Sequence, residues 1–543
     1  MRNKVCNKFP ALLFVLLIAF FEMESQASQT KDSTLILLPG EGWWGGVVNE
    51  GHKMPFGKND ILFDLYGDGD GNQSVPFLIS NKGRYIWSEQ PFRFNFKNNS
   101  IVIDKTNDVV VFGKSGNTLK EAYTDASHKF FPSVNIWPDS LLVKAPQYNL
   151  WIELLYNPNQ KDVLSYAKQI LKNGWPAGVL MIDDNWTKFY GQFDFDKAKF
   201  PDAKSLISQL HSMGFKVMLW VIPYVTADSP IFKELEEKKF LLLDNNGIKK
   251  TVWNDVSKPL IMKWWNGYSG HLDLTNPGTM AWLKSKLDFL QTEYGVDGFK
   301  FDGGDPNDFA LDNLVSFRKA NPVEICYAWN EMGLTYRLNE LRATWKMGGQ
   351  PLVERLRDKY HTWEDVAKLI PHTIVQQLMG YTFTCPDMIG GGDYTSFLPG
   401  SIIDQKLVVR SAQCSALMPM MQFSAAPWRI LDSTHFAAVS KIVKLRQQFL
   451  PYNMENLRNS AISGEPALRS LEYEFPNSGY MNVNDQFLLG DKLMIAPVVT
   501  STDTRRVVIP KGKWKHNNKI VTGPVLKTYT VALDELLIFE KLK

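Results

Sequence analysis

A (β/α)8 barrel, flanked by an N-terminal β-sandwich and a C-terminal β-domain, is the α/β fold class that this sequence predicts. Between residues 147 and 449, strand-like apolar runs alternate with amphipathic segments of helical length. That alternation is typical of parallel strands joined by crossover helices. Eight such runs over roughly 300 residues are close to the usual size of a barrel.

The strand predictions follow short apolar runs, and the helix predictions follow 3.6-residue periodicity. The predicted helices include Ala203–Met213, Thr279–Tyr294 and Trp363–Met379. A doubly wound sheet is the alternative, but no Gly-x-Gly-x-x-Gly follows the early strands. The eight predicted strands are Leu150–Tyr156, Gly178–Asp183, Lys216–Pro223, Asp297–Asp302, Glu324–Trp329, Leu352–Arg357, Phe383–Pro386 and Pro419–Phe423.

The regions on either side of the barrel are predicted to be β-rich. Residues 29–146 contain short alternating runs, such as Gln73–Ser80 and Ile101–Asp104, separated by Gly, Asn and Asp turns. Residues 450–543 contain further strands, and we expect helices to stop near residue 450. Two long excursions, Tyr224–Tyr268 and Asn330–Gln350, leave the predicted ends of strands, where long loops are usually functional.

The N-terminus has the features of a secretory signal peptide over residues 1–28. Basic residues precede the apolar run Phe9–Phe21, which is shorter than the ~20 residues that a membrane span needs. We therefore expect a secreted or periplasmic protein with no membrane span in the mature chain. Cys326, Cys385 and Cys414 are expected to be buried thiols, and the net charge of +3 does not indicate a nucleic-acid partner.

The segment from Val296 to Asp305 carries the clearest chemical signal. A short apolar strand ends in Asp302, and Gly303 and Gly304 follow it directly. A buried unpaired carboxylate is costly, so Asp302 is better explained as a ligand-facing group at the carboxyl end of a barrel strand. The alternative is an Asp that caps the following helix, and Asp305 has the same two interpretations.

Further polar and aromatic side chains follow the predicted ends of neighbouring strands. Carboxylates accept hydrogen bonds from hydroxyl groups, Arg donates two in parallel, and Trp can stack on a sugar ring. This composition predicts a carbohydrate-binding pocket. Its candidates are Asp183, Asp184, Trp220, Lys300, Asp302, Trp329, Asn330, Arg355, Asp358, Asp387, Gln422 and Ser424.

Glycoside hydrolysis needs two carboxyl groups, and Asp302 and Asp358 are the natural pair on the fourth and sixth strands. The separation of the two carboxyls, and with it the stereochemical course, cannot be read from the sequence. Two nearby carboxyls that share one proton titrate together, so we expect the pKa of the acid to be raised by the charge of its neighbour.

Several segments in sequence order resemble glycoside hydrolase family 31. They include the Asp302 segment, Gly83-Arg-Tyr-Ile-Trp-Ser-Glu, Trp264-Trp-Asn-Gly267 and Asp485-Gln-Phe-Leu-Leu-Gly-Asp. The resemblance implies a cofactor-free and metal-free retaining α-glycosidase. It implies Asp302 as nucleophile and Asp358 as acid/base. For substrate binding it implies Arg342, Asp387, Trp265 and either Asp183 or Asp184.

The sequence departs from the pattern of the common α-glucosidases of that family at Arg355, Gly303 and Ser424. These variants resemble the branch with myogenesis-regulating glycosidase and bacterial α-galactosidases. The resemblance therefore favours an exo-acting enzyme on terminal α-galactosides. α-Glucosidase, α-xylosidase and transglycosylase activities share the same residues and remain alternatives, as does a carbohydrate-binding pseudoenzyme.

Overall fold

A computed structural model describes the backbone of residues 28–30 and residues 33–57, 61–69, 71–245 and 258–542 in full. Residues 1–27 lie outside the described residues, and so does nearly all of the predicted signal peptide. Within the described part of the chain, no helix is both long and apolar enough to cross a membrane.

The centre of the molecule is an eight-stranded parallel sheet, which confirms the predicted barrel. In sheet order the strands run β7-β6-β5-β4-β3-β2-β1-β8. A parallel bridge between Met388 and Gln422 links the end of β7 to β8, so the barrel is nearly closed. The strands are β1 (Gln147–Asn149), β2 (Val179–Ile182), β3 (Lys216–Val221), β4 (Gly298–Phe301), β5 (Asn339–Leu341), β6 (Val353–Arg355), β7 (Phe383–Cys385) and β8 (Gln422–Phe423).

Helices connect the strands, and most of the longer ones begin at a side chain that accepts a hydrogen bond from the first turn. Thr362, for example, accepts from the amide of Asp365, which supplies a partner that the helix itself lacks there. The helices of the barrel region are Trp151–Leu154, Gln160–Lys172, Ala203–Ser212, Pro230–Glu237, Pro277–Phe289 with a π-helical turn at Leu290–Tyr294, Pro322–Leu334, Trp363–Leu378, Gln405–Ser415 and Pro427–Ile430.

Two of the eight strand predictions are wrong. Leu150–Tyr156 contains the short helix Trp151–Leu154, and the first strand is Gln147–Asn149. Glu324–Trp329 lies within the helix Pro322–Leu334, and the fifth strand lies inside the predicted excursion 330–350. In both cases the apolar pattern predicts a strand in a segment that is helical. The true strand is polar, because it faces a hydrogen-bonded barrel interior, and it therefore has no apolar pattern.

The N-terminal region contains two antiparallel sheets and the helix Leu119–Phe130. The five-stranded sheet contacts the barrel directly, since Ser74 forms a parallel bridge with Trp345. That sheet contains Ser28–Thr30, Trp43–Val47, Ser74–Ser80, Arg84–Ser88 and Val110–Lys114. The four-stranded sheet contains Ser33–Ile36, Ile61–Asp64, Arg93–Lys97 and Ser100–Asp104.

A six-stranded antiparallel sheet forms the C-terminal region. The expectation that helices stop near residue 450 is wrong, because the helix Ser433–Ser463 continues through Pro451 and ends at Gly464 in the left-handed conformation. A second short helix, Leu471–Glu474, follows it. The strands are Leu468–Arg469, Phe487–Leu489, Leu493–Ile495, Thr504–His516, Lys519–Thr530 and Ile538–Leu542.

The excursion after β3 is partly ordered into a small antiparallel sheet. Ile261–Trp264 pairs with Gly267–His271, which pairs in turn with Tyr224–Thr226. Trp265 lies in the turn of this hairpin and is 51% exposed. Residues 246–257 of the same excursion lie outside the described part of the chain.

Glu354, in the middle of β6, carries a buried carboxyl group on the side of the strand that faces away from the barrel interior. Glu354 is fully buried, and neither of its carboxyl oxygens has a hydrogen-bond partner of ordinary geometry among the described residues. Burial raises the pKa of Glu354 well above its usual value, and the nearby side chains of Thr344 and Gln73 offset only part of that shift. Glu354 therefore binds a proton more tightly in the folded protein than in the unfolded chain.

This burial predicts a pH-dependent gain in stability for Glu354→Gln. A carboxyl whose pKa is raised by folding stabilises the protein fully below its unfolded pKa, and that contribution is lost as the pH rises toward the folded pKa. The variant does not lose this stability as the pH rises, because glutamine does not ionise. Its free energy of unfolding should exceed that of the wild type by up to about 1.4 kcal/mol per pH unit above pH ~5. Urea unfolding from pH 5 to pH 8 measures the difference.

The matched control is Glu331→Gln, which makes the same change at an exposed position. Its difference from the wild type should not grow with pH. A Glu354→Gln difference that stays constant with pH would contradict a raised pKa at this carboxyl.

Candidate active site

A cavity of about 480 Å³ opens at the carboxyl ends of the barrel strands. Nine of the fourteen side chains that the sequence analysis assigns to the pocket line it, and a tenth, Asp387, lies buried in contact with Arg355. The nine are Asp183, Asp184, Trp220, Trp265, Lys300, Asp302, Arg342, Arg355 and Asp358. The structure therefore brings these side chains together, although they are dispersed over some 200 residues of sequence.

Asp302 lies at the end of β4 with both carboxylate oxygens held. Oδ1 accepts from Arg342 Nε at 2.7 Å, and Oδ2 accepts from Trp220 Nε1 at 2.9 Å. Gly303 and Gly304 have φ values of +63° and +71°, which L-residues rarely adopt, so the turn after Asp302 depends on glycine. The carboxylate is thereby fixed in orientation at the wall of the cavity.

The charge state of Asp302 follows from the cations around it. Burial raises the pKa of Asp302, but the charges of Arg342, Lys300 and Arg355 lower it by more. The hydrogen bond from Trp220 lowers it further. The pKa is held well below its usual range, so Asp302 is ionised at every pH at which the protein is expected to work.

Asp305 binds Arg342 and does not cap a helix with its side chain. Its two oxygens accept from Arg342 Nη1 and Nη2 at 2.9 and 2.7 Å. Arg342 Nη1 also donates to the carbonyl oxygen of Gly71 at 2.6 Å, which brings the N-terminal region into the site. Of the two interpretations of Asp305, this geometry supports a role in the site. Asp305 fixes the guanidinium of Arg342, which faces Asp302.

Arg355 is a buried cation that contacts three carboxyl groups of the site. Its Nη1 atom donates to Asp358 Oδ1 at 2.7 Å and to Asp387 Oδ1 at 2.8 Å, and its Nε lies 3.3 Å from Glu340 Oε1. Arg355 is 1% exposed, and Glu340 and Asp387 are buried as well. One guanidinium therefore joins the ends of β5, β6 and β7.

Asp358 differs from the sequence-based expectation in its charge state. Burial and the charge of Asp302 raise the pKa of Asp358, but the charges of Arg355 and Lys300 outweigh both and hold it below its usual value. Burial instead raises the pKa of Asp387 to about 7. Of the two carboxyls that share Arg355 Nη1, Asp387 therefore holds a proton more readily than Asp358.

The carboxylates after β2 have distinct partners. Asp183 Oδ2 lies 2.7 Å from Lys300 Nζ, and both side chains are nearly fully buried. Asp184 accepts from Tyr190 Oη at 3.0 Å and from Asn266 Nδ2 at 2.6 Å. Burial, together with the charge of Asp183, raises the pKa of Asp184 to about 7. The two adjacent aspartates thus differ in their partners, since Asp183 is paired with a cation and Asp184 accepts hydrogen bonds from a hydroxyl and an amide.

Sequence reasoning missed the aromatic rim of the cavity. Its additional members are Trp151, Tyr156, Tyr360 and Tyr394. Trp151 and Tyr156 lie beyond the true end of β1, so correct placement of that strand would have found them. Arg342 lies over the ring of Trp265, 5.7 Å from its centroid, which connects the rim to the charged interior.

Four candidates of the sequence analysis do not line the cavity. Trp329 and Asn330 belong to the helix Pro322–Leu334, where Asn330 Nδ2 donates to the carbonyl oxygen of Ala343. Ser424 Oγ accepts from the amide of Ile152 at 2.8 Å and is buried. Gln422 lies beneath the cavity, not on its wall. Among the described residues, no cluster of His, Cys, Asp and Glu has an arrangement suited to a metal ion.

The comparisons with known proteins agree with the geometry. The Glycosyl hydrolases family 31 TIM-barrel domain matches residues 146–455, and the C-terminal domain of the same family matches residues 464–541. The chain belongs to glycoside hydrolase family 31. Its relatives include the myogenesis-regulating glycosidase of Mus musculus, 31% identical over 76% of this chain and 58% of the mouse protein.

Other relatives are more distant in sequence. Alpha-xylosidase XylQ of Lactiplantibacillus pentosus is 24% identical over 84% of this chain and 61% of its own length. The chain thus spans about three fifths of these curated relatives. A dextranase structure from Flavobacterium johnsoniae, complexed with glucose, superimposes with a TM-score of 0.80 at 21% identity, covering 94% of this chain and 66% of the dextranase. At that identity the likeness supports the fold.

The contacts of Asp302 predict how activity depends on pH in Arg342→Met. Removing the guanidinium removes the largest charge that lowers the pKa of Asp302. In the variant, an acidic limb of kcat/KM for an aryl α-glycoside should therefore lie at higher pH than any such limb in the wild type, because Asp302 then protonates more readily. Arg342→Lys keeps a cation in place and should shift the limb less. An unmoved limb in Arg342→Met would assign the low-pH group to another residue.

Proposed function

We propose that this protein is a retaining, exo-acting α-glycoside hydrolase that removes terminal α-linked hexoses, with α-galactosides as the favoured substrates. The observation that carries the proposal is the environment of Asp302. An ionised, oriented carboxylate lies at the wall of a cavity that also contains a second, more exposed carboxyl, Asp358. This is the pair that double displacement at a glycosidic carbon requires.

Asp302 suits the role of nucleophile. Its oxygens are held by Arg342 and Trp220, so the attacking lone pair is oriented before the substrate arrives. Its low pKa keeps it ionised and ready to attack the anomeric carbon. The same cations stabilise the carboxylate when it leaves the covalent intermediate in the second step.

Asp358 suits the role of acid and base. Its side chain is 41% exposed, against 12% for Asp302, so water and leaving groups can reach it. The proton it needs has a near source in Asp387, whose pKa is about 7 and whose Oδ1 shares Arg355 Nη1 with Asp358 Oδ1. As negative charge develops on the leaving oxygen beside Asp358, transfer of that proton from Asp387 to Asp358, and from Asp358 to the oxygen, becomes favourable.

The barrel is closed beneath the cavity by buried polar side chains. Gln147, Gln422 and Glu340 are fully buried and joined by hydrogen bonds of 2.6 and 2.7 Å from Gln422 Nε2. This polar layer fills the barrel beneath the cavity, so a saccharide can enter only from the mouth. The aromatic rim is suited to stacking against the sugar faces of an entering chain end.

The case for galactose rests on the polar wall of the pocket. Galactose and glucose differ only in the direction of O4, so selectivity depends on which buried groups meet that oxygen. The Lys300–Asp183 ion pair, the carboxyl of Asp184 and the indole of Trp220 are the fixed polar groups available. A site built for one hydroxyl direction leaves these groups unpaired with the other epimer, at a cost of several orders of magnitude in kcat/KM.

Relatives named for other sugars favour a second candidate. Both alpha-xylosidase XylQ and an alpha-xylosidase of Emericella nidulans match this chain over 84% of its length. α-Xyloside hydrolysis by the same two aspartates is therefore the alternative. A relative named isomaltosyltransferase also matches, so transfer to an added sugar acceptor has to be measured alongside hydrolysis. Secretion or export to a periplasm remains our proposal from the N-terminal sequence.

A panel of aryl α-glycosides tests the proposal. The α-galactoside should have a higher kcat/KM than the α-glucoside and the α-xyloside, because the fixed polar wall selects the O4 direction. Asp302→Ala should lower turnover by roughly four orders of magnitude, since the nucleophile acts as part of one catalytic unit. The exposed Asp312→Ala is the matched control and should retain wild-type turnover. Equal or faster cleavage of the glucoside or xyloside would reject the galactoside preference while leaving Asp302 in place.

A further inference from the structure

A second and smaller cavity adjoins the active site on the side of Asp358. Its volume is about 170 Å³, and it shares Arg357, Asp358 and Tyr360 with the larger cavity. The rest of its wall comes from the start of the helix Trp363–Leu378, the segment before that helix and the N-terminal region. These residues are Asn49, His52, Lys359, Asp365, Lys368 and His372.

Lys359 is the buried cation of this second cavity. It is 5% exposed, and the acceptor found for its ammonium among the described residues is one main-chain oxygen, that of Arg357, at 3.2 Å. Burial lowers the pKa of Lys359 to about 8, against the opposing charges of Asp387 and Asp365. An ammonium so placed has hydrogen-bonding capacity left for a ligand, since it carries three donors.

The carboxylates in the wall already have partners. Asp365 Oδ1 lies 2.7 Å from Lys368 Nζ, and its Oδ2 accepts from the amide of Tyr360 at 2.6 Å. Asp358 is paired with Arg355. The acids of the wall therefore give the Lys359 ammonium no direct hydrogen bond among the described residues, although the charges of Asp387 and Asp365 act on it. Arg357 adds a second positive charge at the boundary between the cavities.

Two imidazoles complete the wall. His52 Nδ1 and His372 Nε2 are 3.0 Å apart and share one proton. Burial lowers the pKa of both rings, so they are neutral near pH 7. His372 is 1% exposed, and its Nδ1 has no partner among the described residues. With His52 as donor in the pair, that Nδ1 carries a hydrogen and is an unused buried donor beside Lys359.

We propose that this second cavity is a subsite for an anionic substituent, a carboxylate, sulfate or phosphate, on the leaving group of the substrate. The inference rests on the proposed function, because it places the leaving group where Asp358 delivers its proton. As the C–O bond breaks, the oxygen of the leaving group takes the proton of Asp358 while Asp302 bonds to the anomeric carbon. Since Asp358 lines both cavities, the departing group lies at the entrance of the second one.

The size of the cavity matches a substituent and not a separate ligand. Its 170 Å³ exceeds the ~10–15 Å³ that one water needs and falls below the ~300 Å³ at which pockets for whole small molecules begin. The Lys359 ammonium can give charge-assisted hydrogen bonds to the oxygens of one anion, and the unpartnered His372 Nδ1 can add a neutral one in the tautomer in which it carries the hydrogen.

The test compares two aryl α-galactosides that carry a carboxylate or a primary carboxamide at the same ring position. The measured quantity is the ratio of their kcat/KM values, in which losses common to both substrates cancel. Lys359→Met should lower the carboxylate-to-carboxamide ratio about tenfold relative to the wild type, because one charge-assisted hydrogen bond is lost. Lys359→Arg keeps the charge and should restore most of the ratio.

Lys441→Met is the matched control, since Lys441 is exposed and lines neither cavity. Its ratio should equal that of the wild type. Sodium sulfate at constant ionic strength should also inhibit turnover of the carboxamide substrate competitively, and more weakly in Lys359→Met.

Each remaining outcome decides between the two proposals. Equal ratios in the wild type and Lys359→Met, with turnover of both substrates, would overturn the subsite and leave the proposed function standing. Absence of turnover with every aryl α-glycoside would reject the proposed function, and the subsite with it.

Discussion

The buried guanidinium of Arg355 is the interaction on which the arrangement of the site depends. It lies among Glu340, Asp358 and Asp387, which end three successive strands, and it is 1% exposed. Removing one partner from a buried charge network leaves uncompensated charge, which costs several kcal/mol. Arg355 therefore sets the position of Asp358 and holds it beside Asp387, because one Nη1 atom donates to both carboxyls. Its charge also helps to keep Asp302 ionised.

The barrel alone does not complete this site. Gln73 Nε2 donates to the carbonyl oxygens of Arg342 and Arg355 at 2.6 and 2.9 Å, and Asn72 Nδ2 donates to the same two oxygens. Gly71 contributes its own carbonyl oxygen to Arg342. Three consecutive residues of the N-terminal region thus hold the main chain or side chain of the two arginines. The second cavity depends on the same region through Asn49 and His52.

The sequence predicts the fold and the composition of the site better than it predicts the position of every strand. Asp302 could be identified because an apolar strand followed by two glycines gives a charged residue few other roles. β1 and β5 were missed because Gln147, Asn149 and Glu340 face a polar barrel interior, and buried hydrogen bonding leaves no apolar pattern. Asn339, on the other face of β5, instead bonds main-chain groups of Tyr336, Pro351 and Val353.

One missed element did have a usable signal. Asn321, Pro322 and Glu324 form a capping box with proline in the first turn, which marks the start of the helix Pro322–Leu334. The charge state of Asp358 could not have been predicted, because it depends on Arg355, Lys300 and Asp387 meeting in space. The second cavity was equally hidden, since its wall joins residues more than 300 positions apart.

The central claim is that Asp302 forms the covalent bond and Asp358 handles the proton. Azide rescue of Asp358→Ala with an activated aryl α-glycoside tests both roles at once. The variant lacks the base for water, so azide, which needs none, should restore turnover and yield a glycosyl azide of retained α configuration. Product of β configuration, formed by direct attack without the Asp302 intermediate, would contradict the assignment.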